Sequence, residues 1–432
     1  MEYSAIFHDM DKRFCYAVDK DLFVIRVQVK KDDMKEIILH YEDKYIPMEL
    51  KDTRKTIPMK KAATSQFHDY YEVQLQMHLV CLRYFFEFTD MQGEKVYYGN
   101  YEFSKECITN RDRMFDCPQN LREEEMFEVP EWAANKVVYQ IFPARFASSQ
   151  PVDRSQWYKA PITSADNLHG DLRGIIEHLD YIRWRMDVGD EISHFFWKRF
   201  RRAVKAVKKD ALIVGEIWHY AGDFLEGDEW DTVMNYPFYL NLIDLIADEK
   251  ISVSRFVQNL GYLEGRLNKK CYPLMWNLID SHDTARFLHL CNNDKKKQHL
   301  AAAFQLLLPG MPMVYYGDEA AMPGANDPDC RRGMYWDEEY RDKEMYEWYK
   351  RLMQVRKTHA CIVEGELIET ITSDDEETIV MLRKNGEETI ALIFNCSSNV
   401  KEFNEYAQKV NLLGESLFDG KVEGLDAAVI VL

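Results

Sequence analysis

Three short segments, Arg185-Met186-Asp187, Gly215-Glu216-Ile217 and Ser281-His282-Asp283, each carry an acid at or near the end of an apolar stretch, and the acids lie 29 and then 67 residues apart. A strand with its covering helix takes roughly 30 residues in a parallel barrel of eight such units and about 250 residues. The spacing therefore reads as one unit followed by two. It predicts three carboxylates at the C-terminal ends of parallel strands, the face where such barrels carry their reactive groups.

The rest of the chain supports that frame. From about residue 131, apolar strands centred near 138, 185, 213, 233, 276 and 314 alternate with helices expected over 172–182, 191–208 and 297–308, the alternation of a parallel sheet with covering helices. The flanks read differently. Residues 22–29, 71–77, 82–88 and 96–99 form short runs rich in β-branched and aromatic residues, as do 378–382, 389–394 and 427–431, with turn residues such as Asn385-Gly386 between. The predicted fold is α/β: an incomplete TIM-type (β/α) barrel of about six strands over 126–358, between an N-terminal β-sandwich (1–125) and a C-terminal β-sandwich (359–432). Residues 117–130 read as a linker. Six strands do not close with the geometry of eight, because strand number, tilt and shear are linked, so an open edge shielded by a homodimer is expected.

Charge and cysteine usage narrow the class. With 55 Lys and Arg against 73 Asp and Glu the net charge is −18, which argues against nucleic acid as a partner. Nine cysteines without metal spacing fit reduced thiols. Neither a secretory leader nor an 18-residue apolar run is visible, so no membrane association and a cytoplasmic location are expected. Two features admit two readings each. Arg199, Arg201, Arg202, Lys205, Lys208 and Lys209 form a basic run, read as the solvated face of a helix. Tyr97-Tyr98 is either a sugar platform or sandwich packing.

Three acids at one barrel face suit acetal hydrolysis through an oxocarbenium-like transition state. A retaining enzyme needs an ionised nucleophile and a protonated acid/base about 5–5.5 Å apart. Asp187 is the expected nucleophile, kept ionised by Arg185 two residues earlier on the same strand face. Glu216, behind Leu212-Ile213-Val214, is the expected acid/base, and Asp283 with His282 the group that steadies the sugar. Taken singly, Arg-x-Asp could be a surface ion pair, a strand-end Glu a helix start, and His-Asp-Thr a helix cap.

Taken together, these segments resemble the alpha-amylase family of glycoside hydrolases. Trp184 to Val188, Ile213 to His219 and Asn277 to Thr284 match its nucleophile, acid/base and third-carboxylate segments. Val138 to Phe146 looks like the first barrel strand and Gly310 to Glu319 like the last. Asn326 to Arg331 looks like a substrate loop, and Val233 to Phe238, Glu216 to His219 and the N-terminal sandwich together are similar to the neopullulanase, cyclomaltodextrinase and maltogenic amylase branch. The resemblance implies Asp187, Glu216 and Asp283 as catalytic residues. It implies Arg185, His282, Tyr139, Trp218, His219, Asp327 and Arg331 as sugar contacts, and maltooligosaccharides, cyclomaltodextrins or pullulan-like α-glucans as substrates. Where the family inserts barrel strands two and three and a further domain, here Tyr181-Ile182 runs directly into Arg183-Trp184. The inserted domain often carries calcium in the family. Without it no metal site is arguable and no cofactor is expected. A catalytically impaired glucan-binding relic is the alternative reading.

Overall fold

A computed structural model describes the chain except residues 11–12, 20–21, 46–53, 77–81, 101, 118–128, 134–135, 172, 175–188 and 415–416. The N-terminal part is two antiparallel sheets. One runs in the order β1 (Cys15–Ala17), β2 (Leu22–Lys30), β6 (His68–Gln76), β5 (Lys60–Thr64). The other runs β4 (Lys55–Pro58), β3 (Met34–Asp43), β7 (Leu82–Asp90), β8 (Lys95–Tyr98), β9 (Phe103–Ser104), with β10 (Phe115–Cys117) also on β7. Alternation in β2 and β6 turns Ile25, Val27, Val73 and Leu75 toward Leu39, Phe86 and Phe88 of the facing sheet, and all are buried. Tyr98 stacks on Phe103 at 4.5 Å and meets Phe115 edge-on at 5.1 Å. Of the two readings of Tyr97-Tyr98, packing is the one observed.

The central strands are parallel. β11 (Val138–Gln140) pairs with β15 (Met311–Tyr315), β15 with β14 (Trp276–Leu278), and β12 (Val214–Gly215) with β13 (Thr232–Val233). A parallel bridge between Met234 and Trp276 joins the two groups, giving the order β11-β15-β14-β13-β12. Five of the six expected strands are therefore present. The sixth, near 185, and the helix expected over 172–182 fall outside the described residues, as does most of the expected linker.

The strand expected from 211 begins only at Val214. Ala211 N–H is drawn into a turn on Lys208 O (3.1 Å), and Ile213 N–H donates to Asp231 Oδ2 (2.8 Å) instead of to a neighbouring strand. The same Asp231 corrects the solvated reading of the basic run at two positions, Arg201 and Lys205, whereas Arg199, Arg202, Lys208 and Lys209 are exposed. In the helix His194–Val207, Arg201 is buried and donates to Asp231 Oδ1 at 2.6 Å, and Lys205 donates to Asp231 Oδ2 at 3.0 Å. These two cations face inward with Trp197, one turn apart on one side of the helix. A fully buried carboxylate is held only if it is paired, and Asp231 takes its counter-charges from that side.

The helix Lys295–Leu307 is buried nearly all round, between the parallel sheet and a C-terminal sheet of order β16 (Glu366–Ser373), β17 (Thr378–Asn385), β18 (Glu388–Asn395), β22 (Asp426–Val431), β20 (Val410–Asn411). Phe304 stacks on Phe394 of β18 at 4.2 Å. The other face of this sheet is covered by Phe403, Tyr406, Phe418 and Val422 around the short pair β19 (Lys401–Glu402) and β21 (Lys421–Val422). The second layer of the C-terminal unit is thus much smaller than the first.

Two buried arginines tie these parts together through helix ends, where backbone carbonyls lack intrahelical partners. Arg356 donates to Leu306 O (2.8 Å) and Leu308 O (3.2 Å) at the end of Lys295–Leu307. Arg26, on β2, reaches the end of the helix Val253–Arg266 and donates to Gly265 O and Leu267 O, both at 2.9 Å, while pairing with Glu72 at 2.8 Å.

Candidate active site

Glu216 follows β12 directly and is only 3% exposed. Gly215 before it is required by packing, because a Cβ there would sit 2.2 Å from the ring of the fully buried Trp230. After the neighbouring strand β13, Asn235 caps the helix Tyr236–Leu242 by accepting from Phe238 N–H (3.2 Å). That cap places Tyr236 on the first turn, where its hydroxyl donates to Glu216 Oε1 at 3.1 Å. Trp218 stacks on the Tyr236 ring at 4.1 Å, nearly parallel, and is 46% exposed. A buried carboxyl group, a neutral hydroxyl donor and an open indole face thus form one group.

Asp283 lies in the loop after β14. Its N–H donates to Ser281 Oγ (3.2 Å), and its Oδ2 lies 3.1 Å from His282 Nε2. Arg331 binds this loop from the other side. Nη2 donates to Asp283 Oδ1 (3.1 Å), Nε to His282 O (2.7 Å), and Nη1 pairs with Asp327 Oδ1 at 3.0 Å. The guanidinium lies over the Phe142 ring at 4.9 Å, and His282 sits 5.9 Å from the same ring. Phe142 follows β11, so residues beyond β11, β14 and β15 converge on one place, as the strand order requires.

The expected residues therefore divide. Glu216 and Trp218 form one group; His282, Asp283, Asp327 and Arg331 form another. The Tyr139 hydroxyl is engaged by Glu319, to whose Oε1 it donates at 2.6 Å. Burial and that carboxyl group push the phenol well above its ordinary range, and burial pushes Glu319 up as well. The His219 side chain is largely exposed, 3.9 Å from Asp190. Asp187 and Arg185 lie outside the described residues.

Sequence reasoning missed Tyr236 and Phe142 as site residues, although both stand in segments it quoted. It also missed a buried set beneath the Asp283 loop: Asp280, Arg286 and Asp318, exposed by 1%, 0% and 0%. Among the described residues no group of three or more His, Cys, Asp or Glu is arranged to hold a metal. A cavity of about 600 Å³ opens between residues 148–157 and 167–171, and none of the candidate residues lines it.

Comparison with known proteins agrees with this geometry. Residues 1–119 match the alpha amylase N-terminal ig-like domain and residues 184–365 the alpha amylase catalytic domain. The chain is 28% identical over 544 residues to a cyclomaltodextrinase of Geobacillus thermopakistaniensis, covering 93% of this chain and 92% of that protein. It is 27% identical over 534 residues to neopullulanase 2 of Thermoactinomyces vulgaris, covering 90% of each. Both alignments are longer than the 432 residues of this chain, so many positions of each relative face none here. A solved cyclomaltodextrinase superimposes with a TM-score of 0.87 at 25% identity, covering 100% of both chains. Matched in its N-terminal and its catalytic parts, and sharing its fold end to end with that enzyme, this chain belongs to the alpha-amylase family of glycoside hydrolases.

Proposed function

We propose that the protein is a retaining hydrolase of α-glucans, acting on maltooligosaccharides, cyclomaltodextrins or pullulan-like substrates. The observation that carries the reading is Glu216, buried at a strand end with the Tyr236 hydroxyl on its Oε1 and the Trp218 face beside it. Names among its relatives support the substrate class: cyclomaltodextrinase, neopullulanase and maltogenic alpha-amylase.

In the proposed reaction Glu216 gives its proton to the glycosidic oxygen while Asp187 attacks the anomeric carbon, and the C–O bond to the leaving sugar breaks. Glu216 then takes a proton from water, which displaces Asp187 and releases the second sugar. Asp283 accepts hydrogen bonds from ring hydroxyls. Arg331 and His282 hold it in place, so that little reorganisation is left for the transition state. Trp218 offers its face to a sugar ring, and Asp327 a carboxylate beyond it.

The reading includes a shortened barrel. The catalytic-domain match starts only at residue 184, and the relatives carry many positions that this chain lacks. We place the missing positions before residue 183, with a homodimer over the open edge and a cytoplasmic setting. Mass in solution tests the dimer. A fluorinated glucosyl trapping agent should label Asp187, alongside turnover of cyclomaltodextrin or a chromogenic maltoside that Glu216→Gln abolishes. Saturable maltooligosaccharide binding with neither label nor turnover would favour the relic instead.

A further inference from the structure

We propose that Asp280 and Asp318 hold a single proton between them and, with Arg286, form a positioning unit that fixes the Asp283 loop against the 324–331 loop. The proposal rests on the reading that Asp283 and Arg331 belong to the reactive site.

The loop from 280 to 287 is closed at its base by Phe287 N–H, which donates to Asp280 Oδ1. At its far end Arg286 faces the other way. Its N–H donates to Gly324 O (2.9 Å) and its Nε to Cys330 O (3.1 Å), the two ends of the segment that carries Asp327 and leads into Arg331. Its Nη1 donates to Asp318 Oδ1 (3.0 Å), and Tyr315 N–H donates to Asp318 Oδ2 (3.0 Å). One side chain thus spans the loops after β14 and β15, and Asp318 anchors it.

Charge and hydrogen bonding then demand a proton. Asp280 Oδ2 is buried and meets no donor among the described residues; what faces it is the Asp318 carboxyl. Two ionised carboxylates in contact, enclosed with a single guanidinium, would leave one buried negative charge unbalanced, which is costly. A shared proton makes the set neutral and supplies the missing donor. It resides on Asp280, because Asp318 already receives the guanidinium and Tyr315 N–H.

Among the described residues the neighbouring phenols and thiols provide no balancing charge. Tyr315 and Tyr316 lie under the guanidinium at 4.1 and 5.0 Å. Burial keeps these phenols neutral, along with Tyr349, Tyr239 and the thiols of Cys291 and Cys330. Glu319, hydrogen-bonded to Tyr139, is a further acid pushed up by burial. Asp280 is itself held well above the carboxylate range by burial and by Asp318.

A group protonated in the fold and ionised in the unfolded chain makes folding take up a proton. Wild-type thermal stability therefore falls as pH rises from the ordinary carboxylate range toward the pair's own titration. Asp280→Asn, whose amide donates to Asp318 as the carboxyl group did, flattens that fall.

The test combines infrared spectroscopy with kinetics on a chromogenic maltoside. The wild-type-minus-Asp280→Asn difference spectrum, in which Glu216 and the other buried acids cancel, should show the carbonyl stretch of a protonated carboxyl group at neutral pH, and the variant should keep kcat within about twofold. Asp318→Asn should lower kcat roughly ten- to hundredfold with KM little changed, since misplacement of about 1 Å has that effect. It should also speed amide exchange in 281–287 and 324–331. If Asp318→Asn does not fold, Arg286→Lys, which keeps the charge and loses the fork, should give the same kinetic loss. The proposal is overturned by a difference spectrum without that band, or by wild-type kcat and exchange in Asp318→Asn or its substitute. A wild type that shows the band and the exchange pattern but cleaves no glucan would overturn the functional reading alone.

Discussion

In their described contacts, Glu216 and Asp283 differ in kind. Glu216 is sunk behind an apolar strand, with a neutral hydroxyl and an aromatic face for company. Asp283 is 31% exposed and sits in a web of charge, with Arg331, His282 and, through Arg331, Asp327. A group that must pass a proton back and forth gains from weak, neutral partners. A group that must stay in place as a charge gains from strong, forked ones. Under the proposed roles, the contrast teaches how two acids of similar chemistry can be given different work by what touches them.

Substitutions can break or sharpen this contrast. The largest effect belongs to Glu216→Gln, which keeps the shape and removes the transferable proton; hydrolysis of a maltoside should fall roughly 10³-fold, within the span of general acid/base contributions. Next is Arg331→Ala. It removes two hydrogen bonds from the Asp283 loop, one of them charged at both ends, and kcat/KM should fall roughly ten- to hundredfold, as bonds to charged groups imply. Retention of full kcat/KM would show that the web around Asp283 is ornamental. Tyr236→Phe removes one neutral hydrogen bond, so kcat should fall roughly two- to tenfold, and the pH profile of kcat should move along its Glu216 limb. Smallest is Asp327→Ala. Its carboxylate is 47% exposed and pairs with an arginine that keeps its Asp283 and His282 contacts, so kcat/KM should change by less than about threefold, as for surface pairs. A larger loss would make Asp327 a direct sugar contact.

Much of this was legible in the chain. Short strands rich in β-branched and aromatic residues, such as β6 and β7, and the strand-helix rhythm of the centre follow from local pattern alone. So do the segments bearing Glu216 and Asp283. What stayed hidden depends on which way a polar side chain faces. Arg201 and Lys205 read as a wet face, yet their spacing from the buried Trp197 is four and eight residues, the period of a single helix side; that signal was present and unused. Tyr236 gave no such signal, since only the meeting of two neighbouring strand ends brings its hydroxyl to Glu216. Asp280, three residues before Asp283, looks in sequence like another exposed acid. Its burial is set by Asp318, 38 residues further on, and no local pattern encodes that meeting.

Arg26 carries a consequence for how the molecule comes apart. The last turn of a helix in the central domain is finished by a side chain some 240 positions earlier in the chain. Arg26 Nη1 meets these acceptors, and the helix end this donor, only when both parts are in place, so the sandwich and the helix form one cooperative unit and should melt in a single transition. A chain beginning after residue 119 would leave those carbonyls bare and a matching arginine nowhere to supply them. The N-terminal sandwich is therefore a part of the catalytic body that happens to come first in the chain, and removing it should cost the barrel its stability before it costs any affinity for glucan.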